Sequence, residues 1–176
     1  DFRTPDFILD AIKKRCEHPV MGYTFSDDSY WDSILTWLKY KYVWEAKKEW
    51  LTYIPGIVKG IGFVVQCFTK PGDKVIIFSP FYENYGADTI LSGAEPIYVP
   101  LVPPEFGFDA NVLEDAFKQG AKAMILCNPS NPCGKVFTRE ELQIIAGLAI
   151  KYDTYVITDE VYEHIIYAPN QHTYLA

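Results

Sequence analysis

"AKAMILCNPSNPCGKVFTREELQIIAGLAIKYDTYVITDEVYEHI", residues 121–165, sets two short apolar runs either side of one helical pattern. Ala121 to Cys127 and Thr154 to Thr158 are rich in aliphatic and β-branched residues, which predicts strands. Arg139 to Tyr152 between them reads as a helix, opened by a capping box in which Thr138 is the N-cap and Glu141 follows three residues later. A strand, a helix and a strand in that order predict a parallel pair joined by a crossover. The second run stops on two consecutive carboxylates, Asp159 and Glu160. Delivering an acid to a buried strand end is expensive unless something pairs with it.

The same alternation extends backwards. Trp50 to Ile54, Lys74 to Phe78 and Pro96 to Leu101 read as strands, and Ile57 to Phe68, Tyr82 to Leu91 and Ala110 to Gln119 as helices. "KPGDK" (70–74) and "LSGAEP" (91–96) punctuate helix-to-strand turns. The expected fold class is α/β, a mostly parallel sheet flanked by helices. The first 49 residues differ. "TPDFILDAIKKRCEH" (4–18) places Ile8, Ala11 and Ile12 on one helical face, and "DDSYWDSILTWLKYKY" (27–42) repeats aromatic and aliphatic residues at helical spacing after an Asp27 or Asp28 cap. An N-terminal helical segment over 1–49 and a large domain over 50–176 are expected, and the Trp and Tyr stripe reads as packing surface.

Composition limits the function classes. With 49% hydrophobic residues in 176, the chain can bury a core. A net charge of −7 argues against binding nucleic acid through its backbone phosphates. The longest apolar stretch, Ile57 to Phe68, is broken by Lys59, two glycines and Gln66, so no membrane span is expected. Cys16, Cys67, Cys127 and Cys133 form no CxxC pair and have no histidine at metal-ligand spacing, which points to reduced thiols, no metal site and a cytoplasmic setting. The sequence opens on Asp1 without an initiator Met and stops at Ala176, and the expectation is a piece of a longer protein.

Ligands of open parallel sheets bind beyond the carboxyl ends of the strands. "PGIVKGI" (55–61), "SPFYENY" (79–85), "CNPSNPCG" (127–134) and "DEVY" (159–162) follow four of the predicted strands. In the first, Gly56 sits at a turn into a helix whose amides at Gly56, Ile57 and Val58 suit an anion such as phosphate, although glycine is common in such turns. No GxxxxGK[ST] accompanies it, so a nucleotide P-loop is not supported. Tyr82 can lie over an aromatic ligand or simply pack. Asn131 can donate to a ligand oxygen, whereas Asn128 is expected only to shape its turn. For Asp159 three roles are open: a magnesium-holding acid, a helix N-cap, or the partner of a protonated ring nitrogen in a cofactor. The first needs the missing P-loop. The third accounts for all four loops at once, because such an acid keeps the ring an electron sink.

"NPSNPCGKVFTREEL" and "ITDEVYEHIIY", at this separation, resemble the fold-type-I pyridoxal-phosphate (PLP) enzymes of the class I/II aminotransferase group, and the resemblance covers essentially the whole chain. It implies that Asp159 pairs with the pyridinium nitrogen, that Asn131 and Tyr162 donate to the ring's phenolic oxygen, and that Tyr82 stacks on the ring. The amides of "PGIV", from Gly56, Ile57 and Val58, resemble part of the phosphate cup. Tyr23, in "GYT", resembles the tyrosine that reaches the phosphate of the neighbouring subunit, which implies a homodimer.

Residues 1 to about 70 look most like the cystathionine β-lyase branch, and "FSPFYENYGAD" onward looks more like the kynurenine and aspartate aminotransferases. The resemblance therefore implies transfer of an amino group between an amino acid and a 2-oxo acid, with β-elimination from sulfur amino acids as the alternative. A remnant acting as a binding module is the reading from another class. Cys133 stands where the family usually has threonine. The family's Schiff-base lysine lies a few tens of residues beyond the aspartate, and Lys151 is the last lysine in this sequence. Neither Lys59 nor Lys135 is expected to replace it, so a cofactor platform without its nucleophile is expected.

Overall fold

A computed structural model describes residues 2–175. The chain divides into two units between Tyr53 and Ile54.

The first unit holds α1 (Asp6–Cys16), α2 (Asp28–Tyr42) and a 3-10 turn at Lys48–Trp50. Asp27 is the α2 cap: its carboxylate accepts the Tyr30 amide at 3.0 Å. At its other end Val43 takes a left-handed conformation, φ 56°, and its amide returns to the carbonyl of Lys39. None of the described residues of this unit is buried, and Ile8 and Ile12 on the α1 face and Tyr40 on α2 are exposed.

The second unit is a three-layer α/β structure. Four parallel strands, β1 (Lys74–Ser79), β2 (Glu95–Pro100), β3 (Ala121–Cys127) and β4 (Tyr155–Asp159), lie in the order β2-β1-β3-β4. Strand side chains alternate between faces, so β1 and β3 are buried on both. Val75, Ile77, Ala123 and Ile125 meet Ile61 and Val65 of α3 (Ile57–Phe68) and Tyr85 of α4 (Asn84–Leu91) on one face. Ile76, Phe78, Met124 and Leu126 meet Leu113 and Phe117 of α5 (Ala110–Lys118) and Leu142 and Ile145 of α6 (Arg139–Lys151) on the other. Strand β2 lies at one edge and carries Pro96 and Pro100, which have no N–H to offer a further strand. The capping box forms as the sequence predicts, with Thr138 Oγ1 accepting the Glu141 amide at 3.2 Å and Glu141 Oε2 accepting the Thr138 amide at 2.9 Å.

One predicted strand is corrected. Trp50 to Ile54 pairs with no strand; the 3-10 turn ends on Trp50, and the chain from Leu51 runs unpaired to Pro55. The run is short, and proline next to it removes a donor and restricts Ile54. Ile54 instead packs its side chain near Gly60, where an added Cβ would lie 3.3 Å from it. Gly56 therefore opens α3 from an irregular segment rather than from a strand end.

Within the sheet the chain goes from β1 outward to β2, then returns past β1 to β3 and β4. Its direction of winding reverses between β1 and β3, and the crevice beyond their carboxyl ends is where such sheets bind ligands. Among the described residues, no helix is long and apolar enough to cross a membrane.

Candidate functional site

Beyond the carboxyl ends of β1, β3 and β4 lies a cleft of about 210 Å³. Ile57, Val58 and Ile61 of α3 form one wall, and Tyr82 and Tyr85 enter from the segment after β1. Cys127 and Asn131 come from the end of β3 and its turn, and Asp159, Val161 and Tyr162 from the end of β4. The volume falls below the ~300 Å³ lower end of common small-molecule pockets, a size suited to a single-ring ligand.

Asp159 is 8% exposed. Its Oδ2 accepts a hydrogen bond from the Tyr85 hydroxyl at 2.7 Å, and its Oδ1 accepts the Val161 amide at 3.2 Å. Its backbone carbonyl accepts the Asn128 amide at 2.9 Å, which ties the β3 turn to the β4 end. Burial, then the neighbouring Cys127 and Asp159, push the Tyr85 phenol far above its ordinary range, so it stays protonated and remains a donor. Burial likewise raises the Cys127 thiol; its Sγ donates to the carbonyl of Pro129 at 3.2 Å. Tyr82 meets Tyr85 edge to face, with centroids 5.8 Å apart and planes at 78°.

Six of the eight residues named from the sequence, Ile57, Val58, Tyr82, Asn131, Asp159 and Tyr162, line this one cleft. Gly56 does not line it, and its amide donates to the Ile54 carbonyl at 2.9 Å. Ile57 and Val58, in the first turn of α3, line the cleft, and first-turn amides have no partner within their own helix. The φ of +110° at Gly56 is the conformation that lets the chain turn into α3 there. Tyr23 belongs to the first unit, in the stretch between α1 and α2, and is 99% exposed. Asn128 is consumed structurally: its Oδ1 accepts the Phe137 amide at 3.1 Å and its Nδ2 donates to the Thr173 carbonyl at 3.2 Å.

Tyr85 and Cys127 were missed from the sequence. The sequence presents Cys127 as a strand end and a reduced thiol, and Tyr85 reaches a partner 74 residues away. The one available signal was its spacing three after Tyr82. Lys135 is engaged elsewhere, with Nζ 2.8 Å from Glu141 Oε1 and 5.0 Å from the centre of the Phe137 ring. Lys59 is exposed on α3, and no lysine is among the described residues lining the cleft. Glu160, Glu163 and His172 each offer one ligand atom within 4.8 Å of the others. Two of their carboxylates already face histidines, Glu163 with His164 at 3.1 Å and Glu160 with His172 at 3.6 Å.

A family model described as aminotransferase class I and II matches residues 3–175. Cystathionine beta-lyase PatB of Bacillus subtilis is 31% identical over 98% of the chain and 46% of its own length. Human kynurenine–oxoglutarate transaminase 3 is 40% identical over 75% of the chain and 31% of its own length. The crystal structure of cystalysin from Treponema denticola, which contains a pyridoxal 5'-phosphate cofactor, superposes with a TM-score of 0.92 at 29% identity, over 99% of this chain and 45% of that one. N-succinyldiaminopimelate aminotransferase from Mycobacterium tuberculosis gives 0.92 at 29% identity, over 99% and 47%. The chain thus spans less than half the length of these relatives.

Proposed function

Because the chain belongs to the aminotransferase class I and II family, we propose that its second unit is a PLP-binding platform and that the complete protein transforms amino acids, moving an amino group between an amino acid and a 2-oxo acid. The observation that carries this reading is the buried Asp159 carboxylate in a cleft that also gathers Tyr82, Asn131, Tyr162 and the start of α3. An acid there, a helix N-terminus and an aromatic face together fit a phosphorylated, nitrogen-containing ring.

When bound, PLP supplies an electron-withdrawing ring that acidifies the Cα–H of an attached amino acid. The chain's own residues hold and tune that ring. Asp159 would keep a proton on the ring nitrogen, Asn131 and Tyr162 would donate to the phenolic oxygen, and Tyr82 would cover one face and exclude water. The amides of Ile57 and Val58, at the positive end of the α3 dipole, would receive the phosphate. In a homodimer Tyr23 would serve the neighbouring subunit's phosphate. With Lys135 held by Glu141 and Lys59 exposed, this chain would hold PLP without a covalent link. A second reading, elimination of a thiol from sulfur amino acids, is favoured by the similarity to cystathionine beta-lyase PatB over nearly the whole chain. A cytoplasmic setting is part of either reading.

The test is to titrate the purified chain with PLP, reduce with borohydride and map pyridoxyl groups by peptide mass spectrometry. Saturable, dialysable binding with only scattered labelling is expected. Stoichiometric labelling at one lysine, such as Lys59 or Lys135, would contradict the noncovalent platform, and absence of saturable binding would contradict the platform itself.

A further inference from the structure

We infer that Tyr85 is the positioning residue of this site, acting on the cofactor ring nitrogen only through Asp159. The inference rests on the reading of the cleft given above and adds a residue that neither the motifs nor the family resemblance assigns a role.

Three observations carry it. Tyr85 is 3% exposed and rooted in α4, so its ring has little freedom. Its hydroxyl donates to Asp159 Oδ2 at 2.7 Å while the Val161 amide reaches Oδ1 at 3.2 Å, so each carboxylate oxygen is held by one donor from a different part of the chain. An ionised carboxylate has about four acceptor positions, and these two bonds leave acceptor capacity for a donor arriving in the cleft. Finally, the edge-to-face contact with Tyr82 makes one side chain the support for both the acid and the candidate stacking ring. Burial and the neighbouring Cys127 and Asp159 raise this phenol above its ordinary range, which suits it to remain a donor to the acid.

Pre-orienting an acid by a second donor is worth something only if the acid then meets a matching group. The matching group here is the protonated ring nitrogen, and an analogue without that nitrogen isolates the effect. The probes are PLP and its 1-deaza analogue, in which ring N–H is replaced by C–H, titrated into the chain by absorbance and fluorescence. Tyr85→Phe is expected to weaken PLP by about tenfold, the size of one lost hydrogen bond to a charged group at the low end, and to leave affinity for the analogue unchanged. Asp159→Asn is expected to abolish the preference for PLP over the analogue. The double variant Tyr85→Phe/Asp159→Asn leaves no buried charge without its phenol, so it gives a reading even where the single Tyr85→Phe chain does not fold. It is expected to match Asp159→Asn on both ligands.

Equal weakening of both ligands by Tyr85→Phe, or no weakening of PLP, overturns the inference and leaves the platform reading standing, provided Asp159→Asn behaves as expected. A further PLP-specific loss in the double variant overturns it as well. If Asp159→Asn keeps the full preference for PLP, the platform reading and the inference fall together.

Discussion

The backbone amide of Asn128 donates to the backbone carbonyl of Asp159 at 2.9 Å, so the turn that carries Asn131 and the strand end that carries the acid are joined at their base. This bond continues the β3–β4 ladder, whose last register pair is Cys127 with Asp159. The side chain of Asn128 then braces the turn from within, through the Phe137 amide and the Thr173 carbonyl.

The two asparagines of this turn therefore separate by experiment. Asn128→Ala strands a buried amide and is expected to cost about 1–3 kcal/mol of stability, read as a shift in urea midpoint at constant slope. Asn131→Ala, at the cleft, is expected to change stability by no more than about 0.5 kcal/mol and to weaken PLP binding. A stability loss at Asn131 equal to that at Asn128 would contradict this division.

Thr138→Ala removes one half of the capping box and loosens Glu141, which also holds Lys135. The expected cost is about 1 kcal/mol, typical of a lost N-cap. Thr138→Ser should recover most of it, because the hydroxyl is what accepts the Glu141 amide. Thermal unfolding of the three chains checks the order.

Asp88, on α4 and close to Gly62 of α3, has a buried Oδ2 without a hydrogen-bond partner. Burial raises its carboxyl above the ordinary value of 3.8. The folded chain thus binds this proton more tightly than the unfolded chain, so stability from this group is fully present below the unfolded value and is lost as pH rises through the folded one. Asp88→Asn should accordingly be more stable than the parent at pH 7, by about 1 kcal/mol, with the gap closing toward pH 3. A gap that widens on acidification would reverse the sign of the argument.

The sheet was legible because β1 and β3 are buried on both faces, and the stretches "VIIF" and "AMILC" within them are apolar throughout. The helix opened by Thr138 was legible because a cap is a local event between residues three apart. The supposed strand at Trp50 to Ile54 failed because an apolar run does not say whether a partner strand is there to pair with it. The Gly56 amide was expected to face a ligand, and a short-range turn to Ile54 took it instead. Tyr85 was harder to see for the opposite reason: beyond its spacing from Tyr82, its role depends on a contact across 74 residues, which no local pattern encodes.

The central claim is that Asp159 holds a proton on the ring nitrogen of PLP in this cleft. The most direct measurement is the 15N chemical shift of ring-labelled PLP bound to the chain, compared with the same ligand on Asp159→Asn at the same neutral pH. The account predicts a pyridinium shift on the parent chain and a neutral-pyridine shift on the variant. The same shift on both chains would contradict it.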